Sequence, residues 1–139
     1  MAEPQKLSSE AKNAIFANFE RTNILTLPDE LEDYDRDASE LRIVPDVVIK
    51  ARCREDVQKL FELANRFDFP VTPRGGGTGL AGGCLAVRGG VILSLEEMNR
   101  ILLVDEKNLI AVVEPGVITE TLKKAVSEKG LFYPPDPAG

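Results

Sequence analysis

The first apolar repeat of the chain has a period of four residues. Its members are separated mostly by polar or small residues, as on one face of an α-helix. A hydroxyl at Ser8 or Ser9 can cap such a helix, because it accepts a hydrogen bond from an early backbone N–H. The pattern predicts a helix over about residues 8–20. Its predicted apolar face is Leu7, Ala11, Ile15 and Phe19.

From position 45 onward, short apolar runs surround one amphipathic segment. Residues 47–49 and 71–72 contain β-branched side chains and predict two strands. Between them, Glu55 and Asp56 favour the start of a helix, because acids stabilise the positive end of its dipole. A strand–helix–strand unit of this size predicts parallel strands with a right-handed crossover. The predicted inward face of the helix is Val57, Leu60, Phe61 and Ala64.

The second half of the chain predicts three more strands and a helix. Residues 91–93 predict one strand, and residues 101–104 and 109–113 predict an antiparallel hairpin across the polar link 105–108. Thr119 can cap the final helix. The fold class is therefore α+β, with a small parallel βαβ unit followed by a mixed or antiparallel unit. The inward positions and the stop of the final helix are Leu122, Ala125, Val126 and Gly130.

The charge of the chain is unevenly distributed. The 139 residues carry a net charge of −6. Residues 1–44 hold ten acids and five bases, whereas residues 45–139 hold thirteen and twelve. We therefore interpret residues 1–44 as an N-terminal helix and acidic loop, separate from residues 45–139. Residues 29–40 contain seven acids, which predicts a solvated loop; a calcium loop would need a glycine at its sharp turn.

Composition excludes several classes of function. The chain has no histidine, which rules out Ser–His–Asp and Cys–His nucleophiles. Cys53 and Cys84 cannot form a four-thiolate zinc site, and we expect both to be reduced thiols in the cytoplasm. A pI near 4.8 argues against nucleic acid as a partner. No apolar run reaches a membrane-spanning length, and residues 1–10 do not resemble a signal peptide.

A glycine-rich segment carries the strongest chemical signal. Eight of the eleven glycines fall within residues 75–90, and residues 73–83 read PRGGGTGLAGG. Consecutive glycines leave backbone N–H groups uncovered, and such groups can form a nest for a diphosphate, with the Thr78 hydroxyl as a further donor. No lysine is present for a P-loop. A tightly packed turn without a ligand is the alternative interpretation.

Residues 77–82 also match the dinucleotide pattern G-x-G-x-x-G after a strand. That pattern needs a helix directly after it, because the helix N-terminus holds the pyrophosphate. Residues 83–90 contain three more glycines, two of them at the far end, and leave too little room for a helix. A nicotinamide-binding Rossmann domain is therefore disfavoured.

Three segments in order carry a resemblance to a known family. They are PRGGGTGLAGG at 73–83, EPGV at 114–117 and YPPDPA at 133–138. Together they resemble the FAD-binding domain of the vanillyl-alcohol oxidase/p-cresol methylhydroxylase (PCMH) superfamily. Within it, the chain is similar to the D-lactate dehydrogenase and glycolate oxidase flavoprotein type. The resemblance runs from about residue 7 to the last residue. It implies a βαβ subdomain packed on an antiparallel subdomain, with FAD between them.

The resemblance also implies which residues approach FAD. Backbone groups of residues 75–79 would hold its pyrophosphate, and Pro135 and Asp136 would approach the flavin. For Arg74, the alternative to a cofactor contact is an ion pair at the surface or between the subdomains. For Glu114, the alternative to a ligand contact is a structural contact to a partner strand. Cys84 is expected to pack. The predicted cofactor residues are Pro73, Arg74, Gly75, Gly76, Gly77, Thr78, Gly79, Gly82, Gly83, Pro135 and Asp136.

The resemblance further implies what the chain lacks. Relatives that bind flavin covalently carry a histidine where this sequence has Thr78, so FAD would be bound non-covalently. Family members continue beyond this segment with their catalytic histidine and substrate domain. We therefore expect an N-terminal fragment, inactive alone, without catalytic or metal-binding residues, and with weak or no FAD binding. Its partners would be the remainder of a 2-hydroxy-acid oxidoreductase and, through open sheet surface, a second copy. The alternative is a non-catalytic fold fragment or interaction module with an empty glycine loop.

Overall fold

The computed structural model describes residues 5–39 and 41–135, which form two β-sheets and four α-helices. The helices are α1 Ser9–Asn18, α2 Pro28–Leu31, α3 Arg54–Phe67 and α4 Thr119–Ser127. The strands are β1 Ile24–Leu25, β2 Val47–Lys50, β3 Val71–Arg74, β4 Val91–Ser94, β5 Ile101–Asp105 and β6 Ile110–Val113. Short 3₁₀ turns cover Arg21–Asn23 and Glu32–Tyr34.

The first sheet has the strand order β1-β2-β4-β3. Strands β2 and β3 both run parallel to β4, and β1 runs antiparallel to β2. The predicted parallel direction of β2 and β3 is confirmed, but β4 lies between them. All four residues of β4 are buried. A continuously buried strand suits the central place, because a central parallel strand is covered on both faces.

Alternate residues of the central strands face two different layers. Val91 and Leu93 pack with α1 and α3 in the larger core, whereas Ile92 packs in a smaller cluster on the opposite face. This alternation follows from the period of two along a strand. The smaller cluster also contains Leu31, Tyr34, Val48 and Ala86.

Helix α1 confirms the sequence prediction. The Ser8 hydroxyl accepts a hydrogen bond from the backbone N–H of Ala11 at 3.1 Å and caps the helix. Leu7, Ala11, Ile15 and Phe19 are all buried in the larger core. Because Ile24 of β1 lies in the same core, residues before position 45 pack directly on the parallel sheet.

Helix α3 confirms most of its predicted face. Leu60 and Ala64 are buried and Val57 packs against the core. The prediction is wrong for Phe61, whose side chain is 46% exposed, while Leu63 is buried instead. Phe61 lies about 100° around the helix from Leu60, which turns it away from the sheet.

Helix α4 differs from prediction at its start. Ile118 is the N-cap and Thr119 is the first helical residue, so the predicted Thr119 cap is wrong. Leu122 and Val126 are buried, while Ala125 is half-buried. The predicted stop is confirmed: Gly130 has φ +71°, and the N–H of the next residue donates to the Val126 carbonyl at 3.0 Å.

We call residues 29–40 the acid-rich segment. The prediction that this segment is solvated is wrong for Leu31, Tyr34 and Asp35. All three side chains are buried. Leu31 and Tyr34 pack on the face of the sheet that carries Val48 and Ile92. An apolar residue and an aromatic ring among the acids provide the surface that brings the segment onto the sheet.

Strands β5 and β6 form the predicted antiparallel hairpin, with a bulge between Ile101 and Leu103. Most of its side chains are exposed, among them Leu102, Leu103, Ile110 and Val112. The turn after β6 connects the hairpin to the first sheet: the N–H of Gly116 donates to the Met98 carbonyl at 2.8 Å. A Cβ at Gly116 would lie 2.0 Å from the Leu95 carbonyl oxygen.

Gly116→Ala is expected to destabilise the chain by about 1–3 kcal/mol, because the added methyl group meets backbone that cannot move aside cheaply. Gly83→Ala is the matched control, since a Cβ there meets nothing within 4 Å. Its free energy of unfolding should lie within about 0.5 kcal/mol of wild type. Urea denaturation measures both changes, and equal stability of the two variants would contradict the close approach at Gly116.

Candidate functional site

The glycine loop, residues 75–90, connects the carboxyl end of β3 to the amino end of β4. Residues 75–90 contain no helix, whereas a Rossmann fingerprint needs one directly after its last glycine. Within residues 5–39 and 41–135, the backbone N–H groups of residues 75–79 donate to no protein acceptor. These five donors are therefore available to a ligand.

The surface above the first part of the loop is open. A Cβ at Gly75 would meet nothing within 4 Å, and one at Gly76 would meet only the Thr78 methyl group at 3.9 Å. Gly77 has φ +71°, and a Cβ there would lie 2.3 Å from Nη2 of Arg74. The loop thus presents an open side to a ligand and rests on Arg74 on its other side.

The open side faces a cleft of about 580 Å³. The first wall comes from the glycine loop and the end of β4, and the second from the turn after β6 and the start of α4. Its lining residues are Gly76, Thr78, Glu96, Asn99, Pro115, Gly116, Val117, Ile118, Thr119, Glu120 and Lys123. The cleft therefore lies between the parallel sheet and the hairpin unit.

An ion pair joins the two ends of the hairpin beside the cleft. The buried Glu114 carboxylate accepts hydrogen bonds from Arg100, at 2.8 Å from the backbone N–H and at 2.6 Å from Nη2. The Arg100 side chain lowers the pKa of Glu114. Both carboxylate oxygens are engaged by the neighbouring strand, so Glu114 has the structural role that the sequence left open.

Arg74 lies beneath the glycine loop and is buried. It donates from Nη2 to the Asp33 carbonyl at 3.1 Å and from Nη1 to the Cys84 sulfur at 3.2 Å. Its guanidinium carbon lies 5.6 Å from the centre of the Tyr34 ring. Within the described residues, Arg74 contacts a carbonyl, a thiol and an aromatic face instead of forming the ion pair considered from the sequence.

Two contacts from the acid-rich segment hold the far part of the loop. The Gly82 N–H donates to Oδ2 of Asp37 at 2.9 Å, and the Ala38 N–H donates to the Gly79 carbonyl at 2.9 Å. Hydrogen bonds from Ser39 lead the effects that lower the pKa of Asp37. Sequence reasoning missed these residues, because the acids signalled only solvent exposure.

A second missed group surrounds Glu96, a carboxylate in the cleft lining. It pairs with Nζ of Lys50 at 2.7 Å and accepts a hydrogen bond from the Tyr34 hydroxyl at 2.8 Å. Burial acts to raise the pKa of Glu96, but these two partners outweigh it and lower the pKa. Burial and the bond to Glu96 both raise the pKa of Tyr34.

The electrostatics of the cleft point to backbone donors rather than to basic side chains. The described lining residues include two carboxylates, Glu96 and Glu120, and one base, Lys123. The N-terminus of α4 opens into the same space and adds the positive end of a helix dipole. An anion held here would be bound chiefly by N–H groups.

The remaining predicted cofactor residues lie in several places. Pro73 and Gly83 are exposed, and Gly82 is buried against Leu41. Pro135 is exposed and does not line the cleft. Asp136 lies outside the described residues.

The described part of the chain also bears on metal binding and membrane insertion. No group of three or more metal-ligating side chains comes together there. No helix among these residues has the length and hydropathy needed to cross a membrane.

Known proteins share this sequence pattern. A protein-family model described as "FAD binding domain" matches residues 45–139. The chain is 43% identical over 106 residues to the glycolate oxidase subunit GlcD of Bacillus subtilis. It is 38% identical over 108 residues to a D-lactate dehydrogenase of Anaerostipes hadrus. Each match covers 76% of this chain and 23% of the relative, so the chain spans about a quarter of their length.

A solved structure shares the fold. The match to p-cresol methylhydroxylase with substrate bound has a TM-score of 0.78 and 26% sequence identity. It covers 92% of this chain and 27% of that chain. The predicted α+β class and the predicted resemblance are confirmed.

The support beneath the loop should depend on pH through Asp35, whose buried carboxylate pairs with Arg36 and Arg42. Burial acts to raise the pKa of Asp35, but the two arginines outweigh it and lower the pKa below the ordinary 3.8. The ionised Asp35 carboxylate therefore stabilises the folded chain above pH 3.8. This contribution to the free energy of unfolding is lost as the pH falls through the lowered pKa of Asp35 in the folded state.

Asp35→Asn should lower the midpoint temperature of unfolding at pH 7, and its difference from wild type should shrink as the pH falls below 3.8. Thermal denaturation followed by circular dichroism across this range measures the difference. A difference that is independent of pH would contradict the ionised pair.

Proposed function

The chain belongs to the FAD binding domain family, and we propose that its glycine loop holds the diphosphate of FAD in a flavin-dependent oxidoreductase. One observation carries the proposal. The five N–H groups of residues 75–79 have no acceptor within the described chain, and Gly76 and Thr78 of this row line an open cleft between two structural units. Such a row of donors suits the charge of a diphosphate.

The residues at the site fit this cofactor. The N–H groups of residues 75–79 and the Thr78 hydroxyl would bind the diphosphate, and Gly82 and Gly83 would complete the same turn. Pro73 would bound the loop and Arg74 would support it, while Pro135 and Asp136 would approach the flavin. FAD when bound supplies a flavin that accepts a hydride equivalent. The role of this chain is to bind and orient the cofactor, and no catalytic residue is assigned to it.

The substrate class of the whole protein is part of the proposal. The matched relatives are a glycolate oxidase subunit and a D-lactate dehydrogenase, which supports oxidation of a small 2-hydroxy acid. The remainder of that enzyme would be the partner that encloses the cleft. A chain that supplies the described walls alone leaves the cofactor open to water and should have no turnover. The two unpaired thiols, Cys53 and Cys84, support a cytoplasmic location.

FAD binding can be tested by amide NMR titration of the chain. The signals of residues 75–79 should shift with added FAD. Gly76→Ala should weaken binding roughly tenfold, because its methyl group would occupy the open space over the donors. Ala81→Val is the matched control, since Ala81 is exposed on the same loop but does not line the cleft.

Shifts confined to other regions, or equal affinity of the two variants, would contradict the proposed site. A submicromolar dissociation constant would contradict the expectation that the chain alone binds FAD weakly. The absence of histidine predicts non-covalent binding, so acid denaturation of the complex should release all flavin into solution. Flavin colour retained on the polypeptide would refute non-covalent binding.

A second candidate function, an interaction module, is favoured by the exposed apolar side chains of the hairpin. Leu103 is 52% exposed, and β5 and β6 pair with no third strand among the described residues. Such a surface supports self-association through the hairpin.

Sedimentation equilibrium should give an average mass that rises with concentration. Leu103→Lys should reduce the rise by placing charge on the hairpin. Val44→Lys, at another exposed apolar position, should not. A wild-type chain that stays monomeric at high concentration would exclude this function.

A further inference from the structure

The glycine loop would be costly for a ligand to order. Residues 75–90 include eight glycines, the residue type that loses most conformational freedom on ordering. If a diphosphate had to order this segment itself, the entropy loss would be subtracted from its affinity. A loop that is already ordered before binding avoids that loss.

The loop is held in place by a clamp, which we define as residues 33–39 together with Arg74. Asp37 accepts the Gly82 N–H and Ala38 donates to the Gly79 carbonyl, both at 2.9 Å. These contacts join positions 79 and 82 to a segment more than forty residues earlier in the chain. They fix the second half of the loop.

Arg74 fixes the first half. Its guanidinium reaches the Asp33 carbonyl on one side and the Cys84 sulfur on the other. Nη2 also lies so close to the backbone of Gly77 that no Cβ would fit there. One buried side chain therefore contacts two separated points of the loop and the start of the clamp segment.

The clamp is itself anchored to the sheet. Tyr34 packs with Val48 and Ile92 in the smaller core cluster. The Asp35 carbonyl accepts the N–H of Ile43 at 2.7 Å, and its buried carboxylate pairs with two arginines. The contacts to the loop thus originate from a segment that cannot shift freely.

The clamp leaves the ligand side of the loop untouched. Its hydrogen bonds engage Gly79 at the carbonyl and Gly82 at the N–H, whereas the N–H groups of residues 75–79 stay without a protein acceptor in the described chain. We propose that the clamp pre-forms the diphosphate-binding loop, with Asp37 and Arg74 as positioning residues that do not contact the cofactor. The inference rests on the proposed FAD function. It assigns the ordering of the glycine loop to the acid-rich segment and Arg74.

The first test removes the carboxylate in Asp37→Ala. Without FAD, the NMR order parameters of the amides of residues 75–83 should fall from a rigid value towards about 0.6 or below. The dissociation constant of FAD should rise roughly tenfold, because ordering the loop then opposes binding. Asp37→Asn should recover most of both losses, since its amide oxygen can still accept the Gly82 N–H.

Asp105→Ala is the matched control. Asp105 also accepts two backbone N–H groups in a turn, those of Lys107 and Asn108, but it lies in the hairpin link away from the glycine loop. It should change neither the order parameters of residues 75–83 nor the FAD affinity.

The second test is Arg74→Lys, which keeps the charge but loses the planar fork that reaches two acceptors. Order parameters of the FAD-free loop should fall as they do in Asp37→Ala. If affinity falls while the order parameters stay unchanged, Arg74 contacts FAD directly and its assignment as a positioning residue is overturned. Far-UV circular dichroism establishes that each variant is folded.

The two proposals fail in distinguishable ways. If added FAD shifts only amides outside residues 75–79 of the wild-type chain, the proposed function is overturned, while the order parameters of the FAD-free variants still decide whether the clamp orders the loop. Order parameters that stay at the wild-type value in both Asp37→Ala and Arg74→Lys overturn the clamp, whatever the FAD affinity.

Discussion

Strands β3 and β4 are parallel neighbours, and the chain must return from the carboxyl end of the first to the amino end of the second. A helix usually makes this connection and satisfies its own backbone groups. Here residues 75–90 make it without a helix, so their backbone groups need other partners. Part of the loop finds them in the acid-rich segment, and the N–H groups of residues 75–79 have no acceptor among the residues that the structure describes. The candidate site is a direct result of this connection.

The same arrangement explains how a chain with a net charge of −6 can offer a site for an anion. The proposed contacts are backbone dipoles at short range, and two of the acids nearby have partners of their own. Glu96 is paired with Lys50, and Asp35 with Arg36 and Arg42. Net charge governs long-range attraction, whereas local N–H groups govern binding once the ligand has arrived.

The loop alone would be a single wall, and the second wall depends on the junction with the hairpin unit. Gly116 approaches the Leu95 carbonyl so closely that a side chain is excluded, and Arg100 binds the buried Glu114 carboxylate. These contacts place the start of α4 opposite the glycine loop. The second wall is therefore positioned by packing at one turn rather than by a large interface.

Local sequence was sufficient to predict the α+β class, helix α1 with a serine cap at position 8 or 9, the hairpin and the glycine loop. Each of these depends on local spacing or on residue types with special backbone freedom. Long-range packing instead places β4 between β2 and β3, turns Phe61 outward, and brings Asp37 and Arg74 to the loop. Strand order and these contacts join residues far apart in sequence, and an acidic residue has the same local pattern whether it faces water or accepts a buried N–H.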